Sequence, residues 1–276
     1  MTEAKRPITA GEMRAKPASG GIALRFEGVD FSYRDTPVLR GFSAELLPGR
    51  LTCIIGKNGS GKSTLIGVAD GLLRPLAGRV LVGDRQVQGL SSKERARCIG
   101  VLFQQNGLPA ATVEELVSRG RFPHARATRL DEEDFAIINA AIARLGLGDI
   151  RTRLVAELSG GQRQRAFLAM ALAQDTPVLL LDEPTAALDA HASHDIMGLA
   201  RGLASAGKTV GVVIHDLDLA LRYADELIVV DEGRPVAAGT REAILAHEVI
   251  STVFRMRTVP VADAEGGEEG FALFPE

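Results

Sequence analysis

The sequence contains the stretch Gly56-Lys57-Asn58-Gly59-Ser60-Gly61-Lys62-Ser63, which fits the pattern G-x-x-x-x-G-K-[S/T] of a phosphate-binding loop. An apolar run typical of a buried strand, Leu51–Ile55, precedes it, and apolar residues at helical spacing, Lys62–Leu73, follow it. Glycines let the backbone wrap around phosphate groups, whose charge attracts the N–H groups of the loop and of the helix N-terminus. The pattern predicts a nucleotide site; a glycine-rich turn between strand and helix is the alternative.

The loop also predicts contacts of single residues with the nucleotide. Lys62 is expected to reach the β- and γ-phosphates, and Ser63 is expected to be a ligand of Mg²⁺. The residues expected to contact the nucleotide are Gly56, Asn58, Gly59, Ser60, Gly61, Lys62, Ser63 and Thr64.

A second apolar run, Pro177–Leu181, ends in two acids, Asp182 and Glu183. Open α/β sheets bind ligands at the carboxyl ends of their strands, so both acids are expected near the phosphates. Asp182 is expected to hold Mg²⁺ through water, and Glu183 to orient the attacking water and accept its proton. The alternative is a pair of capping acids followed by a turn at Pro184.

A third motif, Leu158-Ser159-Gly160-Gly161-Gln162, precedes a stretch of helical spacing. Ser159 stands at an N-cap position, and two glycines let backbone N–H groups approach a ligand closely. Considered alone, this is a well-capped helix start. A second anion-binding helix end would add little to a nucleotide already held by Gly56–Ser63, so it is expected to serve the nucleotide of another molecule.

Short apolar runs alternate with longer stretches of helical spacing over most of the sequence. Nearly continuous hydrophobicity is typical of strands buried on both faces, and the alternation indicates a mainly parallel sheet between helices. The predicted fold class is therefore α/β. The expected strands are Leu51–Ile55, Cys98–Phe103, Pro177–Asp182, Thr209–Ile214 and Glu226–Asp231, and the expected helices are Lys62–Leu73, Gly161–Gln174 and His191–Ser205.

Two regions interrupt this alternation. Ile22–Phe31 and Gly78–Gln88 predict an antiparallel β portion near the N-terminus. Thr112–Gly148 is predicted to be helical throughout, with Thr112 or Asp131 as a cap, and forms a helical lobe inserted at about 105–160. The expected organisation is a mobile leader at 1–20, one α/β domain at 21–261 and a flexible acidic tail at 262–276, in which Phe271 and Phe274 are the residues able to dock.

The composition limits the class of protein. The chain has 276 residues, 46% of them hydrophobic, which is enough for one large domain. With 32 basic and 35 acidic residues it has no excess of positive charge, so no nucleic-acid partner is expected. Two cysteines, Cys53 and Cys98, cannot form a disulfide framework and are expected to be buried. No apolar run approaches the ~20 residues of a membrane span and no secretory signal is recognisable, so a soluble, cytosolic chain is expected.

Together these motifs resemble the ATP-binding cassette (ABC) ATPase family over nearly the full length of the chain. The resemblance adds the stretch Ala187-Leu188-Asp189, similar to the family's D-loop, and His215, similar to its H-loop residue. Many members have serine where this chain has Ala187, which weakens a hydroxyl role there.

The resemblance also implies roles for residues that the spacing does not assign. Tyr33 would stack on the adenine, although alone it is an aromatic residue of a strand. Gln104 would touch Mg²⁺ or water, and His215 would contact the γ-phosphate, although a lone histidine is usually a core or surface residue. Ser159, Gly160, Gly161, Gln162 and Asp189 would complete the ATP contacts.

The resemblance implies an assembly as well. Two copies would pack head to tail, with each ATP between Gly56–Ser63 of one copy and Ser159–Gln162 of the other. Membrane permease subunits would dock near the helical lobe, with a substrate-binding protein as an indirect partner. The chain would then lie at the cytoplasmic face of the cell membrane as a peripheral subunit.

Finer similarities concern the transported solute. Gly120-Arg121-Phe122-Pro123-His124 resembles a stretch common among importers of iron siderophores, haem and vitamin B12, although locally it is a helix terminator and a proline turn. Residues 162–177 and 215–220 are most similar to ferric-siderophore members. The expected function is therefore ATP-driven uptake of ferric siderophores. Alternatives are haem, vitamin B12 or another solute, and a soluble ABC ATPase outside transport.

Overall fold

The computed structural model describes residues 21–104, 107–125, 129–261 and 270–275. Its strands are β1 (Leu24–Tyr33), β2 (Thr36–Leu46), β3 (Leu51–Gly56), β4 (Ala77–Val82), β5 (Arg85–Gln86), β6 (Ile99–Leu102), β7 (Val178–Asp182), β8 (Thr209–Val213), β9 (Glu226–Asp231), β10 (Arg234–Thr240), β11 (Met256–Val261) and β12 (Gly270–Pro275). Its α-helices are α1 (Lys62–Ala69), α2 (Ser92–Cys98), α3 (Val113–Arg119), α4 (Glu132–Arg144), α5 (Gly160–Ala173), α6 (Ala190–Ser205), α7 (Leu217–Tyr223), α8 (Arg241–Ala246) and α9 (Val249–Phe254).

The central sheet has six strands in the order β10-β9-β3-β8-β7-β6. Strands β9, β3, β8, β7 and β6 are parallel, and β10 joins the edge antiparallel. Along β3, Cys53 and Ile55 belong to one hydrophobic core, whereas Ile54 between them belongs to a second core on the other face. Successive side chains of a strand point to opposite faces, so a strand buried on both faces is apolar throughout. The predicted α/β class and strands are confirmed.

A separate antiparallel sheet, in the order β2-β1-β4-β5, packs beside the central sheet. It confirms the predicted antiparallel portion and adds β2, which the prediction did not name. Gly78 has a φ of +74°, and a Cβ there would lie 2.2 Å from the Gly28 carbonyl oxygen. Only glycine fits this close crossing of β1 and β4.

The helical lobe differs from its prediction. Both expected caps are present, since Thr112 accepts from the Glu115 N–H at 3.2 Å and Asp131 from the Asp134 N–H at 3.0 Å. The region is not helical throughout: α3 ends at Arg119 and α4 begins only at Glu132. Turns follow α3, and only glycine fits at residue 120, where a Cβ would lie 2.3 Å from the carbonyl oxygen of Met170.

The stretch Gly120–His124 ties this turn to the end of α5. Arg121 and Asp134 form a buried ion pair at 2.8 Å, and Arg121 also donates to the Ala173 carbonyl at 3.0 Å. His124 Nε2 lies 2.9 Å from the Gln174 carbonyl oxygen. Burial raises the pKa of Asp134, but the hydrogen bonds from Arg121 and the Asp131 N–H, together with the charge of Arg121, leave that pKa below its usual value.

Arg121→Ala is expected to lower the free energy of unfolding by about 3–5 kcal/mol, because it leaves the Asp134 carboxylate buried without its partner. Urea titration followed by circular dichroism measures the change. The exposed Arg119→Ala is the matched control, with an expected change within about 0.5 kcal/mol. Equal effects of the two substitutions would contradict a stabilising role of the ion pair.

The C-terminal residues also differ from expectation. Residues 270–275 were expected to be flexible, but they form β12, which pairs antiparallel with β11. Phe271 and Leu273 pack against the larger core, whereas Phe274 is 46% exposed and lies 6.0 Å from the Arg257 guanidinium. The expected leader at 1–20 and the acidic stretch at 262–269 lie outside the described residues, so both stay predictions.

Two smaller expectations concern cysteines and membrane spans. Cys53 is buried as expected, but Cys98 is only partly buried because it ends α2 at the start of β6. Among the helices of the described residues, none has the length and apolarity needed to cross a bilayer.

Candidate active site

The carboxyl ends of the parallel strands border a cavity of about 530 Å³. Strand β3 leads into the predicted loop, which leads into α1. Glu183 follows β7 and His215 follows β8, so both side chains lie at the same edge of the sheet. The cavity is lined by Asn58, Gly59, Gly61, Lys62, Ser63, Gln104, Glu183 and His215. The topology thus brings together residues from four separate segments, as the prediction required.

The loop has the geometry of an anion site. Gly59 and Gly61 have φ values of +78° and +100°, which glycine adopts without strain. Helix α1 has neither a side-chain cap nor an acid in its first turn, so its first N–H groups remain available to a ligand. A Cβ on Gly56 would lie 2.2 Å from the Val230 carbonyl oxygen, which explains why glycine ends β3.

Lys62 is held inside the loop. Its Nζ donates to the carbonyl oxygens of Gly56 and Lys57, each at 2.9 Å. Burial lowers the pKa of Lys62, and the carboxylates of Glu183 and Asp182 oppose that change. The ammonium group therefore lies at the mouth of the loop, where a phosphate oxygen can replace a carbonyl as its acceptor.

Ser63 and Asp182 form the second part of the site. The Ser63 hydroxyl donates to Asp182 Oδ1 at 3.2 Å. Burial raises the pKa of Asp182, and the hydrogen bond from Ser63 opposes that change. The described residues contain no group of three His, Cys, Asp or Glu side chains that could hold a metal. A hydroxyl and a carboxylate alone fit Mg²⁺, which takes its other ligands from phosphates and water.

Glu183 lies between two polar side chains. Gln104 Nε2 donates to its Oε2 at 2.6 Å, and His215 Nε2 lies 2.5 Å from its Oε1. Glu183 has a φ of +50°, unusual for a residue with a Cβ, and its N–H donates to the Val213 carbonyl at 3.0 Å. Strand β8 thus holds the backbone of Glu183 while two side chains fix its carboxylate.

Other predicted site residues lie outside this cavity. Ser159 caps α5 by accepting from the Gln162 N–H at 3.3 Å, and a Cβ on Gly161 would lie 3.2 Å from Leu188 Cδ2. Asp189 caps α6 through the Ala192 N–H at 2.8 Å. Ser159–Gln162 therefore lies beside Ala187 and Leu188, next to this cap, in the same chain.

Tyr33 also lies outside the lining of this cavity. Its ring is 52% exposed and meets the Phe31 ring edge to face at 4.9 Å. An exposed aromatic face at the end of β1 is available for stacking on a flat ligand. Its role toward adenine stays a prediction.

The profile of the ABC transporter family matches residues 39–186, more than half of the chain. The chain belongs to the ABC transporter family. This confirms the resemblance, and membership implies that the protein binds ATP.

Two curated relatives and one solved structure illustrate the similarity within the family. The chain is 40% identical to the ferric enterobactin transport ATP-binding protein of Escherichia coli over 88% of its own length and 91% of that protein. It is 41% identical to the cobalamin import ATP-binding protein of Halobacterium salinarum over 92% of its length, but covers only 64% of that relative. It superposes on a bacterial ABC transporter cassette in dimeric form with a TM-score of 0.73 and 29% identity, covering 79% and 98% of the two chains.

One feature of this ABC protein was missed by the sequence analysis. A second cavity of about 490 Å³ shares Glu183 and His215 with the first and extends along the start of α6. His194 borders it and lies 2.9 Å from the Tyr223 hydroxyl through Nδ1. Ala190, Ser193 and His194 line the cavity from α6, and their i, i+3, i+4 spacing puts them on one face of that helix.

Proposed function

We propose that the chain is the ATP-hydrolysing subunit of an importer of ferric siderophores that works through separate permease subunits. The observation that carries the ATPase assignment is Glu183, held by Gln104 and His215 at the mouth of the phosphate-binding loop. A carboxylate oriented in this way is suited to accept a proton from an attacking water.

Each residue of the site has a separate role in ATP binding and hydrolysis. The loop N–H groups and Lys62 bind the β- and γ-phosphates, and Tyr33 stacks on the adenine. Ser63, Asp182 and Gln104 hold Mg²⁺, which when bound neutralises phosphate charge. Glu183 accepts the proton of the attacking water, and His215 contacts the γ-phosphate.

A second copy of the chain completes each site. Ser159–Gln162 lies outside the cavity that holds Lys62, and Gly160 is exposed. A head-to-tail dimer brings this helix N-terminus to the ATP bound by the partner's loop, where Asp189 and the adjoining N–H groups contact it. The similarity to a dimeric ABC transporter cassette supports two copies.

The transported solute is proposed from the relatives. Names of relatives at 36–40% identity include ferric enterobactin, petrobactin and iron(3+)-hydroxamate, all iron carriers. The cobalamin relative in Halobacterium and hemin relatives in Pseudomonas support vitamin B12 or haem as the second candidate. The protein then lies at the cytoplasmic face of the cell membrane, bound to permease subunits near the helical lobe and indirectly to a substrate-binding protein.

Uptake in a deletion strain tests the solute. Loss of the gene is expected to abolish uptake of a radioactive ferric siderophore and to leave cobalamin and haem uptake unchanged. Complementation with the intact gene should restore it, whereas the Glu183→Gln gene should not. If ferric-siderophore uptake is undiminished and cobalamin or haem uptake is lost, the proposed solute is wrong. The proposal that the chain is a transport ATPase would still stand.

Lys62→Ala is expected to weaken ATP binding about tenfold or more, because it removes a charged donor to the phosphates. Equilibrium titration with a fluorescent ATP analogue measures the affinity. Lys57→Ala is the matched control, since Lys57 is an exposed lysine of the same loop whose backbone carbonyl remains after substitution. Equal affinities of the two variants would contradict the role of Lys62.

A further inference from the structure

A cavity of about 420 Å³ lies where helices α4, α5 and α6 meet, away from the phosphate-binding loop. One wall is apolar and consists of Leu145, Ile196 and Leu199. Two arginines, Arg144 and Arg165, line the same cavity. Cavities of this size that combine apolar walls with few polar groups are typical of small-molecule sites.

Arg165 lacks an acceptor in this cavity. Its Nε is fully shielded from solvent and has no hydrogen-bond partner among the described residues. Its Nη1 lies 3.9 Å from the position that a Cβ on Gly146 would occupy, so the guanidinium lies over the turn that ends α4. The described residues give this guanidinium no hydrogen bond and no ion pair, so its Nη groups can donate to an anionic ligand.

Arg144 supplies a second positive charge. It is exposed at the end of α4 and forms no ion pair within the part of the chain that the structure describes. The acid that lines the cavity, Asp195, is exposed and lies 3.1 Å from His191 Nδ1. Two arginines and one carboxylate therefore line the cavity, and the excess positive charge favours a ligand with a negative group.

We propose that this cavity binds a small apolar carboxylate, with its negative group between Arg144 and Arg165 and its apolar body against Leu145, Ile196 and Leu199. The proposal goes beyond the nucleotide site, because none of these residues lines the cavity that holds Lys62. The ligand would contact three helices: α4 of the helical lobe, α5, which Ser159 caps, and α6, which Asp189 caps.

Binding of 4-(trifluoromethyl)benzoate to the full chain, followed by fluorine NMR, tests the proposal. Saturable binding with a Kd on the order of 1 mM is expected for a probe of about 13 non-hydrogen atoms. The neutral 4-(trifluoromethyl)benzamide should bind at least about tenfold more weakly, because it lacks the charge that the arginines recognise.

Two variants locate the probe. Arg165→Met and Arg144→Met should each weaken binding about tenfold, whereas Arg201→Met, an exposed arginine of α6 outside the cavity, should leave it unchanged. Arg144 is exposed, so its variant is expected to fold even if Arg165→Met does not. Equal binding of the benzoate and the benzamide, full binding to Arg144→Met, or displacement of the probe by ATP would overturn the proposal. None of these readouts depends on ATP hydrolysis, so failure of the proposed function would leave the result intact.

Discussion

Glu183→Gln is expected to bind ATP as tightly as the parent chain and to hydrolyse it about 10²–10⁴-fold more slowly. The amide has the size of the carboxylate, so its oxygen can still accept from Gln104 and its NH₂ group can face His215, but it cannot take a proton from water. Steady-state phosphate release measures turnover, and equilibrium titration measures binding.

The variant should also accumulate as a dimer with ATP, because the γ-phosphate that both copies share stays in place. Size-exclusion chromatography with light scattering measures the mass with and without ATP. Glu157→Gln, an exposed acid before the Ser159 motif, is the matched control and should hydrolyse ATP normally. Turnover of Glu183→Gln within threefold of the parent would overturn the role of Glu183 as the base.

Gly160→Trp is expected to leave ATP binding unchanged and to lower the rate of ATP turnover about a hundredfold. The fold should tolerate the substitution, because Gly160 is exposed and an added Cβ would lie 3.7 Å from the Ala187 Cβ, an ordinary contact. The indole would instead occupy the space between this helix N-terminus and the partner's ATP.

Two controls make this result specific. Gly160→Ala should reduce turnover less than the tryptophan does, and Gly148→Trp, an exposed glycine with open space around it, should leave turnover unchanged. Hydrolysis at the parent rate by Gly160→Trp would mean that this motif does not contact a reacting nucleotide.

Local signals explain why much of the fold and site could be predicted. The phosphate-binding loop needs glycines at the positive φ values of residues 59 and 61, and a serine cap such as Ser159 acts on an N–H three residues away. Strands buried on both faces appear as continuous apolar runs, as in β3 and β7.

Contacts between distant segments explain what was missed. Strand β12 has a short apolar pattern after a run of acids and glycines, and its stability depends on pairing with β11 and packing of Phe271 and Leu273 on the core. The pair Arg121–Asp134 likewise depends on the approach of the turn after α3 to the first turn of α4. Neither neighbour can be identified from local periodicity.

Contacts between distant segments within the site could not be predicted from local sequence either. Resemblance assigned Gln104 and His215 to the nucleotide, but their shared contact with the Glu183 carboxylate needs three strands in the right order. The cavity with Arg144 and Arg165 was not predicted, because it forms only where three helices meet.

The central claim is that each ATP is bound between the loop of one copy and the Ser159 motif of the other. The most direct test mixes two double variants, Lys62→Ala with Glu183→Gln and Gly160→Trp with Glu183→Gln, and measures mass by light scattering with ATP. Each variant alone should stay monomeric, since one lacks the ATP contact and the other blocks the partner's motif. The mixture should form a dimer with one ATP, held by the intact loop of one copy and the intact Ser159 motif of the other. A mixture that stays monomeric, while Glu183→Gln alone dimerises, would contradict the claim.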